Sequence, residues 1–394
     1  KILDNFQQAA PDNLRLFAFG VGYDVDTFLL DSLSQAHHGS STYVLPGQRL
    51  DEILSAFYAR ISTPVLTDLQ LDFGGMGTYD LYPAPLPDLF RGSQIVVVGR
   101  YRQGGSATLR LSGTVNGQAQ SFTFPDQQFA ASLEDLSPAQ RDVLASLPRL
   151  WATRKVGYLL NQVRLRGADQ ETIDQIVKLS IRYGIVTPYT SYLVTEPMPL
   201  GAAEQDRIAS EALSQMQAMA TAPASGQAAV EKAAVQGNLA QAQAPAALDS
   251  SASGQVRIVG AQTFVLQDGV WVDTTYDPQS MKPVQVAFLS EDYFALLRAR
   301  PELASAFALG PQVIALAGGT AYQVVDEGQS VPPLQVPATP APQVKPTSAP
   351  VGQPTPISSP PAGDPPVRNG LNCLGSLLPL LVLGLVLAWR RGVR

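Results

Sequence analysis

The apolar positions change period several times along the chain, and each change marks an element. Leu14 to Gly22 is a near-continuous apolar run, as a parallel strand buried on both faces requires. A helix precedes it with Ile2, Leu3 and Phe6 on one side. Another follows from about Thr27 with Leu30 and Leu33 inward. The short strand Thr42 to Leu45 leads into a third helix, on which Leu50, Ile53, Leu54, Phe57, Tyr58 and Ile61 form an i, i+3, i+4, i+7, i+8, i+11 stripe. Helix, strand, helix, strand, helix is half of a doubly wound sheet.

At Pro64 the period drops to two. Val65, Thr67, Leu69, Leu71 and Phe73 alternate with Leu66, Asp68, Gln70 and Asp72, the pattern of a half-buried antiparallel strand. Ile95 to Tyr101 predicts another strand. Leu109, Leu111 and Val115 on one arm, and Phe122 and Phe124 on the other, flank the hairpin dipeptide Asn116-Gly117. The block reads as β-sandwich-like. Two helices follow, one bearing Leu147, Trp151, Tyr158, Leu159 and Val163. The other runs from an Asp169 cap through Ile173, Ile176, Val177 and Ile181 to Gly184. Ile185 to Val194 is strand-like and closes the region.

From about Gly201 to Gly254 the chain is Ala, Gln and Ser with few large apolar residues, so a linker is expected. A small α+β module comes next. It has a hairpin at Asp268-Gly269, a helix capped by Ser290 and a helix from Pro301 to Gly310. A closing hairpin, Val313 to Val325, turns at Gly318-Gly319. The Pro-dense tract that follows favours extended polyproline II and makes a semi-rigid stalk. From Leu374 to Trp389 no residue is charged, and Arg390 and Arg391 follow at once. Leu374, Leu377, Leu380, Leu383 and Leu387 give an apolar helix near the lower limit for spanning a bilayer. Trp389 is the interfacial aromatic, and the arginines place the C-terminus in the cytoplasm. Cys373, at the start of the run, is a candidate for lipidation or processing, with retained and processed anchors both open.

The organisation expected is therefore an α/β part over 1–63, a β-rich region with a helical hairpin over 64–196 and a linker over 197–254. A small α+β module over 255–327, a stalk over 328–370, a transmembrane segment over 371–391 and a cytoplasmic end over 392–394 complete it. The first residues, Lys1 to Asp4, read as the middle of a helix, so a fragment with any export signal upstream is expected.

Composition narrows the chemistry. The 394 residues carry a net charge of −6 with no basic stripe, which argues against a nucleic-acid partner. A single cysteine excludes an internal disulfide framework and a Cys-rich zinc site. Asp24 and Asp26 follow the buried strand, where α/β proteins place ligands, but Asp26-Thr27 before a helix is more simply an N-cap. His37 and His38 are the only histidines. Adjacent on a helix end, they make a poor metal pair and suit a dipole partner or a solvated terminus better. Asp68 and Asp72 share the outward face of a strand, where solvation is the default. Gly20-Val21-Gly22 lacks the rest of a phosphate loop, and no Gly-x-Ser-x-Gly elbow occurs. Trp151 with Tyr158 reads as core before ligand platform. A catalytic role therefore has no foothold in these residues.

One set of segments carries a resemblance. Phe19 to Asp26, the stripe to Ile61, Pro64-Val65-Leu66-Thr67-Asp68, Gly92 to Arg100, Leu150-Trp151-Ala152 and Val186 to Ser191 occur in the order seen in inter-alpha-trypsin inhibitor heavy chain-like proteins. Those proteins combine a VIT domain, a von Willebrand factor type A domain and a β-rich region. The similarity covers about residues 1–196, and the remainder looks like the tail of bacterial members. The resemblance implies that 1–63 is the C-terminal part of a doubly wound type A domain. Its usual task is divalent-cation-dependent binding of a protein or polysaccharide outside the cell. The Mg or Ca ligands of that domain belong to segments upstream of this sequence, so no metal ligand is assigned here. Expected, then, is a single-pass surface adhesion or ligand-binding protein. The alternative is a non-catalytic scaffold assembling surface complexes, and an enzyme would need catalytic groups elsewhere.

Overall fold

Strand β1 (Ala18–Val21) pairs in parallel with β2 (Ser41–Val44) across helix α2 (Thr27–Ala36), with α1 (Ile2–Ala9) before and α3 (Leu50–Ile61) after. This is the βαβ unit that the alternating pattern predicts. The computed structural model describes residues 2–11, 14–132, 136–187, 200–218, 224–247 and 254–326, which fall within one unit.

Helix α3 differs from expectation. Phe57 packs edge-on against Phe17 and Phe19, with ring centroids 5.1 and 4.8 Å apart. Leu50, Leu54 and Tyr58 are nevertheless exposed, Tyr58 by 71%. Among the described residues the sheet here has only two strands. A helix lying on so narrow a sheet can cover only part of a stripe that wraps half its circumference. Helix α2 departs too: its buried positions are the polar Thr27, Asp31 and Ser34, while Leu30 and Leu33 are half-buried.

The β-rich block contains β3 (Pro64–Asp72), β4 (Tyr79–Tyr82), β5 (Leu89–Phe90), β6 (Val98–Arg100), β7 (Gly105–Val115) and β8 (Gln118–Phe129). They form an antiparallel four-stranded sheet, ordered β5-β3-β7-β8, and a separate two-stranded ladder of β4 with β6. Strand β6 is shorter than the Ile95–Tyr101 run suggested. The Asn116-Gly117 turn closes β7 onto β8 with both residues at positive φ, 49° and 78°, which a two-residue hairpin of this hand needs. The strand expected over Ile185–Val194 is absent from 185–187. Its remainder lies outside the described residues.

Helices α4 (Pro138–Leu144), α5 (Leu147–Arg166), α6 (Gln170–Tyr183), α7 (Ala202–Ala218) and α8 (Gln227–Ala240) follow. The last two fall where a linker was expected, and they are packed. Ile208, Ala209 and Ala212 of α7 share a core with Ile173, Ile176 and Val177 of α6. Val230 and Ala233 of α8 are buried too. A count of large apolar residues missed this because half of the described buried positions of these helices, Ala209, Ala212 and Ala233, are alanine. The bulk comes from α5 and α6, and small side chains let the backbones approach. Gly157 of α5 shows how closely: a Cβ there would stand 2.3 Å from the backbone nitrogen of Ala240.

The final module has β9 (Val256–Val259), β10 (Gln262–Gln267), β11 (Val270–Asp273), β12 (Val284–Ala287), α9 (Glu291–Ala299), a 3₁₀ turn (Pro301–Leu303), α10 (Ala304–Phe307), β13 (Val313–Ala317) and β14 (Thr320–Val325). Its mixed six-stranded sheet is ordered β12-β14-β13-β11-β10-β9. Strand alternation sorts the residues onto two buried faces. Phe264, Val313, Ala315, Tyr322 and Val324 meet Tyr293, Leu296 and Phe307 of α9 and α10. Val265, Ile314 and Ala321 join the core of α5, α6 and α7 on the other side. The module supplies the sheet and one helical layer of a continuous helix–sheet–helix stack rather than forming a bead on a string.

Among the described residues no helix is long and apolar enough to cross a membrane. The expected span over 371–391, including Leu374, Leu377, Leu380, Leu383, Leu387, Trp389, Arg390, Arg391 and the neighbouring Cys373, lies outside them.

Candidate cleft between the α/β part and the helical core

A cleft of about 360 Å³ opens where α2 and β2 face α5, α8 and the loop Tyr82–Pro87. The loop supplies Pro83, Pro85 and Pro87, which present rigid apolar surface without backbone donors. Asp31, Tyr43, Arg154, Tyr158 and Asn161 bring polar atoms to the walls.

These groups hold one another. Tyr43 Oη donates to Asp31 Oδ1 at 2.8 Å and lies 3.1 Å from the Thr27 carbonyl. Arg164 donates to the other oxygen of Asp31, to Asn161 at 3.1 Å and to Gln236 at 3.0 Å. Burial, followed by the Asp31 charge, pushes the Tyr43 hydroxyl well above its ordinary pKa. Arg154 donates to the carbonyls of Ala242 (2.7 Å), Tyr82 (3.2 Å) and Val96, and desolvation lowers its pKa. Arg149, at the start of α5, donates to Tyr183 O at 2.9 Å at the end of α6. Three arginines spaced along one helix thus tie it to α2, the end of α6, α8 with the residues after it, and the segments at Tyr82 and Val96. Sequence reading missed them; the available signal was a helix apolar on every side yet interrupted by arginines, each of which then needs a partner.

The predicted site residues are scattered. Asp26 caps α2, accepting from Leu29 N at 2.9 Å, and Asp24 is exposed. The cleft opens beside His38, Gly39 and Ser41, at the amino end of β2, and so does not include the carboxyl-end position of Asp24. His37 ends α2, its ring 5.1 Å from that of Phe6, and its Nε2 is buried without a hydrogen-bond partner among the described residues. Asp68 is exposed, as expected, and also pairs with Arg15 at 2.5 Å at an irregularity in β3, and Asp88 takes the Arg15 Nε at 2.6 Å. Asp72 accepts from Gly74 N at 2.9 Å. Trp151 is buried in the core, its indole N–H donating to Asp80 O at 3.0 Å, and Tyr158 packs against the same core. Among the described residues no group of three or more His, Cys, Asp and Glu is gathered that could hold a metal ion.

One further carboxylate is fully buried. Asp273 accepts from Thr275 N (2.9 Å), Thr275 Oγ1 (2.7 Å) and Gln262 Nε2 (2.7 Å). Desolvation raises its pKa above the ordinary value near about 3.9. Below the unfolded pKa both states are protonated and Asp273 contributes no pH dependence. As pH rises from there through the raised folded pKa, ionisation costs the folded state stability. Asp273→Asn should abolish that loss. Urea unfolding from pH 4 upward should show the variant gaining on the parent, and parallel profiles would refute the assignment.

No family model matches the chain. Half of it is similar to inter-alpha-trypsin inhibitor heavy chains. Heavy chain H3 of Rattus norvegicus is 27% identical over 200 residues, 50% of this chain and 22% of that protein. Homo sapiens H4 is 29% identical over 201 residues, covering 50% and 21%. Homo sapiens H2 is 27% identical over 198 residues, covering 49% and 21%. The chain thus spans about a fifth of the length of the curated relatives it matches. A solved structure, the ArnB paralog VWA2 from Sulfolobus acidocaldarius, matches at a TM-score of 0.25 with 15% identity, covering 54% of this chain and 59% of that one.

Proposed function

We propose that this heavy-chain-like chain belongs to a non-catalytic, membrane-anchored protein that binds a protein or polysaccharide ligand outside the cell. The observation that carries the proposal is the similarity to inter-alpha-trypsin inhibitor heavy chains over half of the chain. Two features support it. Leu54 and Tyr58 of α3 and Val21 of β1 are exposed, as they would be if the parallel pair were part of a wider type A sheet. The apolar run before Arg390 supplies an anchor. In this reading a Mg or Ca ion bridges the ligand through type A residues outside the present sequence, with a ligand carboxylate completing its oxygen shell.

The test is capture of extracellular-matrix proteins and polysaccharides by the full-length protein, with Mg and Ca or with EDTA. Capture should fall at least about tenfold in EDTA, the loss of one strong metal–carboxylate contact. Equal capture in both would remove the cation and favour a scaffold.

A further inference from the structure

The two-stranded ladder of β4 and β6 carries an unusual concentration of cations and rings. Tyr79 and Arg100 are register partners across it. The Arg100 guanidinium lies 5.7 Å from the Tyr79 ring centroid and 5.1 Å from that of Trp151. Arg102 lies over the same Tyr79 ring at 4.9 Å. Its aliphatic stem runs past Gly77, where a Cβ would touch it at 3.4 Å, an ordinary contact distance. Lys155 reaches the Trp151 ring at 5.4 Å and is paired with Asp80 at 2.7 Å. Lys155 thus has its counter-ion. Among the described residues Arg100 and Arg102 have no carboxylate partner, and both are exposed.

We propose that Arg100 and Arg102, held over Tyr79 and Trp151, form a docking site for an acidic segment of a partner protein. The rings approach the guanidinium carbons at 5.7, 5.1 and 4.9 Å, and with no carboxylate partner among the described residues the N–H edges of both arginines are available to a ligand. Those edges match a carboxylate in bidentate fashion. Ring contact also restricts the side chains before the ligand arrives, which lowers the entropy lost on binding. Two like charges near one tyrosine ring are favoured by a nearby anion. Charge complementarity is local: the whole chain carries −6, so this pair is an exception on a mildly acidic protein. Two free arginines suit one or two carboxylates and fall short of the basic stripe a polyanion needs. Arg and Tyr side by side are also the residues that dominate protein–protein contacts.

The site deepens the proposed ligand-binding role but does not use a cation, so it can be tested in EDTA, where failure of the metal reading has no influence. The probe is a fluorescein-labelled peptide with four Glu residues spaced by Gly and Ser, followed by anisotropy on the full chain. The Glu peptide should bind at least about tenfold more tightly than its Gln counterpart. Raising NaCl from about 50 to 300 mM should weaken it several-fold, because exposed charges are screened. Arg100→Gln with Arg102→Gln should remove at least about tenfold of affinity, while Arg91→Gln should leave it unchanged. Equal binding of Glu and Gln peptides by the unmodified protein would overturn the proposal, whether or not the variants fold. Tighter binding of a heparin fragment of equal charge would overturn the assignment of a protein partner.

Discussion

Replacing Arg154 by Met is expected to lower stability by about 4 kcal/mol, among the largest single-residue effects in this fold. The side chain is 4% exposed and reaches three backbone carbonyls from three different segments. Methionine replaces most of the volume but none of the donors. The carbonyls of Tyr82, Val96 and Ala242 would be left without their charged donor in a poorly hydrated setting, and a charge-assisted hydrogen bond contributes about 1.5–3 kcal/mol. Lysine, which keeps the charge but has no planar fork, should fall between the two. Urea unfolding measures the difference. A change under about 1 kcal/mol for Arg154→Met would mean that water replaces the guanidinium and that Arg154 does not join these segments.

Ala209→Asp is expected to cost more than about 3 kcal/mol, because it places an unpaired carboxylate in a fully buried position. Its surroundings in the shared core include Ile173, Ile176, Val177 and Leu160, none of which can pair with a carboxylate. Ala203→Asp, on the exposed side of the same helix near its start, should be neutral or slightly stabilising. Thermal unfolding of the pair decides whether α7 is structural. Were residues 202–218 a tether, both substitutions would change stability by less than about 0.5 kcal/mol.

What could be read from the sequence was local. Asn116-Gly117, Asp268-Gly269 and Gly318-Gly319 each close a hairpin, because the positive φ values that such a turn requires restrict the residues able to form it. Asp26, Asp169 and Ser290 cap helices through oxygens three residues from the nitrogens they bind. The features that escaped depend on partners distant in the chain. Ala209 and Ala233 become core only because α5 and α6 bring bulk to them. Arg164 meets Asp31 and Gln236 across 133 and 72 residues of chain. The ring-held arginines are likewise invisible to periodicity, since Trp151 comes from a helix distant in sequence from Tyr79 and Arg100. Asp68 is exposed as alternation implies, but alternation does not show that Arg15 reaches it.

Display outside the cell is the claim on which the proposed binding role depends. A full-length protein tagged just before residue 328 should lose its tag when a membrane-impermeant protease is added to intact cells, and the protein should sediment with membranes. A tag that survives on intact cells and is cut only after lysis, in a protein recovered with the cytosol, would contradict the account.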